Sequence, residues 1–232
     1  VTSNPANGTA TVNGSGVITY TPNTGFSGTN SFTYVLRTAD GLDSDPIVVT
    51  VTPITPQPTG SPDVAGTTTN TPVTIPVKDN DVSKTGTTVV IQGAPTNGTV
   101  VLNGTGEPVY TPANGFSGKD TFTYKLRNTT GGLESDPITV TVNVRPAGSP
   151  DNGVFTTNVP LSLDVKNNDL SKSNTSVVIN SNPANGTVSV AASGVVTYTP
   201  NPGFTGNDGF TYVLRTADGL NSDPINVTVS AV

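Results

Sequence analysis

From Phe32 to Arg37 the side chains fall on alternate faces: Phe32, Tyr34 and Leu36 on one, Thr33, Val35 and Arg37 on the other. Period two is the signature of a half-buried strand, and the aromatic and β-branched residues suit a pleated surface. The same pattern returns with Phe122, Tyr124 and Leu126, and again with Phe210, Tyr212 and Leu214. Each repeat has few other large side chains, so these nine residues are the expected core. Truncating one such buried Phe would cost about 3–5 kcal/mol. The spacing of Tyr34, Tyr124 and Tyr212 sets a period of roughly 90 residues, the size of a small domain and too long for one turn of a solenoid.

Shorter alternating runs fill the rest of each period. In the second copy they predict strands over 63–68, 72–77, 87–92, 98–103, 108–111, 121–127 and 138–144, read as seven antiparallel strands of a β-sandwich. Pro72 and Pro76 in one run mark an edge strand or a bulge. The third copy matches with runs over 161–165, 176–180, 186–190, 195–199, 209–215 and 225–229. The first copy begins late: Val1 aligns with Ile179, so its opening strands are missing and the chain reads as processed or excerpted. The expected domains are 1–53, the later part of a first repeat, then 54–145 and 146–232. The segment from Pro53 to Gly60, with Pro53, Pro56 and Pro58, predicts an extended, semi-rigid linker.

Composition narrows the chemistry. The chain lacks Cys, His, Met and Trp, so thiol, haem and zinc sites have no usual ligands and acid–base work has no imidazole. Ten basic residues are scattered against sixteen acidic ones, leaving no cationic face for nucleic acid. No apolar run is long enough for a membrane helix. A metal site would have to be of the oxygen type. The calcium candidates are Asp79 and Asp81 in Lys78-Asp79-Asn80-Asp81, and Asp169 in Lys166-Asn167-Asn168-Asp169, with Asp63 and Asp151 near the repeat boundaries. An Asx turn explains those loops equally well. The Asn-Gly pairs at Asn7, Asn97 and Asn185 predict tight turns with positive φ. The aromatics sit at repeated positions, Phe155 excepted.

The succession Val-x-x-Asn-Asp, Pro-x-Asn-Gly-Thr-Val and Val-x-Tyr-Thr-Pro-x-x-Gly-Phe-Ser-Gly-x-Asp-x-Phe-x-Tyr resembles the bacterial Ig-like or cadherin-like tandem repeats of large surface proteins and adhesins. The tyrosine of Asp120-x-Phe122-x-Tyr124 also takes the place of the immunoglobulin tyrosine corner, whose hydroxyl bonds back to nearby backbone. The resemblance implies an all-β fold of serial Ig-like or cadherin-like seven-stranded sandwiches in an extended array. It implies an extracellular, cell-surface location, and calcium at loops between domains in some relatives. The expected function is a non-enzymatic fibre or stalk, associating with itself or with neighbouring repeats in a filament. The late start of the first repeat fits either an excerpt of a longer repeat protein, the favoured expectation, or a polymer in which strands of a neighbour complete that repeat. The rival expectation is an adhesive module for a glycan or protein, which predicts exposed aromatics in non-equivalent loops.

Overall fold

In the computed structural model every described residue lies in strands, turns or irregular loops. The description covers residues 1–232 except Thr24, Gly25, Ser27, Pro53 and Thr55. Part of the first Gly-Phe-Ser-Gly stretch and part of the proline linker therefore lie outside it. The chain divides into two compact units, Val1–Pro56 and Gln57–Val232.

The larger unit holds two sandwiches of the same plan. In the first, β5 (Asp63–Thr68), β6 (Val73–Thr74), β7 (Thr87–Gly93), β8 (Gly98–Leu102), β9 (Pro108–Pro112), β10 (Gly118–Asn128) and β11 (Ile138–Arg145) follow in order. They form a four-stranded sheet, β5-β11-β10-β7, and a three-stranded sheet, β6-β9-β8. The second has β12 (Asp151–Phe155), β13 (Leu161–Leu163), β14 (Thr175–Ser181), β15 (Gly186–Val190), β16 (Val196–Pro200), β17 (Asn207–Thr216) and β18 (Ile225–Ala231). Its sheets are β12-β18-β17-β14 and β13-β16-β15.

One expectation changes here: the strands are not all antiparallel, because β5 pairs parallel with β11, and β12 with β18. The pairing brings the opening segment of each sandwich alongside its last strand. The predicted second strand shrinks to two residues in β6, which lies at a sheet edge, where its flanking prolines need supply no ladder donor.

Each core lies between the two sheets. Phe122, Tyr124 and Leu126 alternate inward from β10 against Val140, Val142 and Val144 of β11. Phe210, Tyr212 and Leu214 do the same from β17 against Val227 and Val229. The third-repeat core gains Phe155, whose ring meets Tyr198 edge-on at 5.3 Å and stacks near Phe204 at 6.1 Å. The unmatched aromatic is thus a core ring and no loop anchor.

The smaller unit comprises β1 (Gly8–Val12), β2 (Ile18–Pro22), β3 (Asn30–Tyr34) and β4 (Ile47–Val51), paired as β1-β2 and β3-β4. Phe32 is buried and Tyr34 half-buried, but Leu36 is 62% exposed. This corrects its assignment to the core. Leu126 and Leu214 pair with Val89 and Val177 of β7 and β14; Leu36 lies beyond the end of β3, whose recorded contact on that side is the Ser3–Thr33 bridge.

The Asn-Gly expectation is corrected too. Gly8, Gly98 and Gly186 are not among the positive-φ residues; they open β1, β8 and β15. A Cβ on Gly98 would come within 2.7 Å of the Tyr110 ring and 2.6 Å of the Thr111 carbonyl, and Gly186 is as tightly placed against Tyr198. Glycine is needed there for close approach of ring and backbone.

Candidate functional site: the junction between the second and third repeats

Two sandwiches in one compact unit must meet, and the meeting point is built from short polar side chains. Thr69 follows β5 at the far end of the second repeat, and Ser171 lies in the loop before β14 of the third. Both are buried, with their hydroxyl oxygens 2.7 Å apart. The Ala147 amide donates to Ser171 Oγ at 3.0 Å, and Thr69 Oγ1 lies 3.1 Å from the Phe116 carbonyl and 3.2 Å from that of Arg145. The protons can run in one direction, from the Ala147 N–H to Ser171 Oγ, from its O–H to Thr69 Oγ1, and from there to a carbonyl. Each buried donor then has an acceptor, as a dry interface requires.

Around this pair lie contacts nearer the solvent. Arg145 donates through Nε to the Asn221 carbonyl at 3.1 Å and forms an ion pair with Asp223. The Lys119 amide donates to Asp218 Oδ2 at 3.1 Å. Asp223 is largely exposed, so this ion pair contributes little beyond orientation, about 0–1 kcal/mol.

The calcium candidates divide. Asp79 is exposed and does not join the others. Asp81 and Asp169 act as clamps on the chain entering their own repeats: Asp81 Oδ1 accepts the Ser61 amide and Asp169 Oδ1 the Ser149 amide, each at 2.7 Å. Asn80 and Asn168 donate to the carbonyls of Pro62 and Pro150. Little room remains, since a Cβ on Gly148 would reach Ile225 Cδ1 at 2.3 Å and Asp169 Oδ1 at 2.5 Å. The Asn-Asp loops are therefore fasteners for the Gly-Ser-Pro-Asp segment.

Asp63 and Asp151 approach the same clusters from β5 and β12. The Tyr124 hydroxyl lies 3.0 Å from both Asp81 Oδ2 and the Val77 carbonyl. The Tyr212 hydroxyl is 2.9 Å from Asp169 Oδ2, 2.8 Å from the Val165 carbonyl and 3.1 Å from Asp151 Oδ2. The tyrosine hydroxyls thus reach 47 residues back in sequence, and the local backbone bond of a tyrosine corner is not the one formed. Burial, with the nearby carboxylates adding to it, pushes both phenols far above their ordinary range, so they remain neutral donors. Among the described residues no group of three metal-ligating side chains assembles.

A second carboxylate site was not expected. Asp120 accepts the amides of Thr96, Asn97 and Thr121 and the Tyr110 hydroxyl, all within 3.1 Å. Asp208 does the same with Ala184, Asn185, Gly209 and Tyr198. Burial acts to raise Asp208, but the backbone donors outweigh it and hold the carboxyl below its ordinary range. The first repeat has Asn30 instead, whose Nδ2 donates to Tyr20 at 3.2 Å. The available signal was an acid two residues before the core Phe and ten after a tyrosine.

Among the described residues no helix is long and apolar enough to cross a membrane. A family profile described as bacterial Ig domain matches residues 1–52, 55–144 and 143–230. No curated protein matches. Solved structures similar to this chain include an endo-fucoidan hydrolase of glycoside hydrolase family 107, at 16% identity over 98% of this chain and 37% of that one, with a TM-score of 0.33. This chain thus spans little more than a third of that enzyme's length. The D00-D0 domain of intimin matches at 18% identity over 73% of this chain and 96% of its own, TM-score 0.34. A Bacteroides ovatus mixed-linkage glucan utilization locus protein, SGBP-B, in complex with a heptasaccharide matches at 13% identity over 78% and 46%, TM-score 0.29. Matched by its profile three times over nearly its full length, the chain belongs to the bacterial Ig domain family.

Proposed function

We propose that the chain is a non-enzymatic, extracellular spacer, a stretch of surface stalk in which each complete repeat is fastened to the next at a set angle. The observation that carries this reading is the buried Thr69–Ser171 pair, which links the two sandwiches with both of its own hydroxyl protons used. A spacer needs modules that fold independently and joints that resist bending. Each sandwich has its own apolar core, and the Asp169 clamp with the Thr69 contact restrains the short connection between them. Pro146 and Pro150 stiffen the same connection.

Under the same reading, the first repeat takes a strand of the β7 kind on the edge of β3 and one of the β5 kind beside β4, as the complete repeats do, from elsewhere in the same polypeptide or from a neighbouring subunit in a filament. The mass of the natural chain and its state in solution separate these two sources. The spacer itself is tested by small-angle scattering from the full chain. An elongated particle whose length grows in proportion when a further repeat is added supports it, and a compact particle that does not lengthen contradicts it.

The rival reading is adhesion to a surface glycan or protein. It predicts exposed aromatic anchors, and Phe155 is instead buried against Tyr198. Specific retention of one carbohydrate on a glycan array would favour adhesion.

A further inference from the structure

The carboxyl–tyrosine clusters at the opening of each complete repeat are short of protons. In the third repeat the Tyr212 hydroxyl faces three acceptors within 3.1 Å: the Val165 carbonyl, Asp169 Oδ2 and Asp151 Oδ2. A phenol carries one proton, while carbonyls and ionised carboxylates carry none to share. With both carboxyls ionised, the phenol proton can serve only one acceptor well and the other approaches set oxygen against oxygen. One added proton mends this: Asp151 O–H donates to the Tyr212 oxygen, and Tyr212 O–H is left for Asp169 or Val165. The second repeat has the same shortage in another form. Asp63 is 9% exposed, and its Oδ2 has no hydrogen-bond partner. An unpaired carboxylate oxygen is costly in such a place, and a protonated one much less so.

We propose that each of these two repeats binds a proton in its Asp-Tyr-Asp cluster, on Asp63 in the second and Asp151 in the third, so that acid tightens the fastening of the opening strand. Burial supports this by pushing both carboxyls up to about 6, with the charges of Asp81 and Asp169 acting in the same sense. The Tyr212 bond to Asp151 acts against it, as do the nearby polar groups of Tyr124, Asn80 and Asn168, without prevailing. Asp164 adds a further like charge in the third repeat. Lys166 and Lys172 lower Asp169, although burial leaves it raised overall. Lys166 Nζ and its counterpart Lys78 Nζ are held by the carbonyls of Thr175 and Thr87, and Asp79 and Lys84 of the second loop are exposed. From β11 and β18 the pairing neighbours Val140 and Val227 carry no charge. Two carboxyls gathered about one phenol, partly shielded from water, favour taking a proton, as paired acids do elsewhere.

The sign follows from linkage. A carboxyl raised on folding contributes stability that is fully present below the ordinary aspartate range and is lost as pH rises through about 6. The lowered group Asp208 acts only in stronger acid. The proposal does not depend on the spacer reading.

The experiment is a carbon-13 titration of the aspartate carboxyls in the full chain, with thermal unfolding followed from about pH 5 to about pH 7.5. Two carboxyl signals are expected to titrate near 6 in place of the ordinary aspartate range, and the midpoint temperature is expected to fall with rising pH. The double variant Asp63→Asn, Asp151→Asn should lose that slope and match or exceed the parent at the upper pH. Carboxyls that all titrate in the ordinary range would overturn the proposal, as would an unchanged slope in the variant. So would calcium that stabilises the parent but not the variant at the upper pH, which would make the occupant a cation. If the variant does not fold, the parent's titration decides alone.

Discussion

The stretch that carries Phe32, Tyr34 and Leu36 and the one that carries Phe122, Tyr124 and Leu126 have nearly the same side chains and different surroundings. Leu126 is fully buried, and Leu36 is mostly in solvent. Leu126 is opposed by Val89 of β7 and lies in a cluster with Ile75, Val77 and Tyr110. Leu36 has no counterpart of β7 against it among the described residues. A strand's apolar face is thus a request for burial, and the neighbouring strands decide whether it is met.

The largest expected effects come from breaking that comparison directly. Phe122→Ala or Phe210→Ala should destabilise its own sandwich by about 3–5 kcal/mol, and Leu126→Ala by about 2–5 kcal/mol. Leu36→Ala should change stability by less than about 0.5 kcal/mol. Hydrogen exchange resolved by residue is the suitable measurement, since a multidomain chain does not unfold as one unit. A loss at Leu36 equal to that at Leu126 would show that the two faces are equally covered.

Next is the pair of close approaches. Gly98→Ala and Gly186→Ala should destabilise by about 1–3 kcal/mol through the tyrosine ring that the new Cβ meets. Gly104→Ala, where a Cβ meets nothing within 4 Å, serves as the control. Calorimetry of the three variants orders them. Comparable, in the carboxylate site, is Asp120→Ala, which strands three backbone amides and the Tyr110 hydroxyl at about 1–3 kcal/mol. A small effect also belongs to the junction's outer ion pair: Arg145→Ala should cost no more than about 1 kcal/mol and weaken further in salt.

Much of this fold was legible in the chain. Alternation located nearly all the strands of both sandwiches, and the Phe-x-Tyr-x-Leu faces marked the cores of the second and third repeats. What was not legible depends on partners distant in sequence. Nothing local shows that β5 lies parallel to β11, because both directions present the same alternating face. The Asn-Asp loops carry the composition of a calcium loop, and only the fold shows Ser61 and Ser149 delivering their amides to Asp81 and Asp169. Asn-Gly is a turn signal by habit, and the Tyr110 and Tyr198 rings that require Gly98 and Gly186 sit on another strand. Thr69 and Ser171 are ordinary residues in a chain rich in both, and their meeting 102 residues apart leaves no local trace.

The central claim is that the second and third repeats are held at one fixed angle by the buried hydroxyl pair. Residual dipolar couplings measured across both sandwiches of the full chain test it most directly. A single alignment tensor should fit both repeats, and Thr69→Val should split it into two. Two independent tensors in the unaltered chain, with each sandwich intact, would contradict the account.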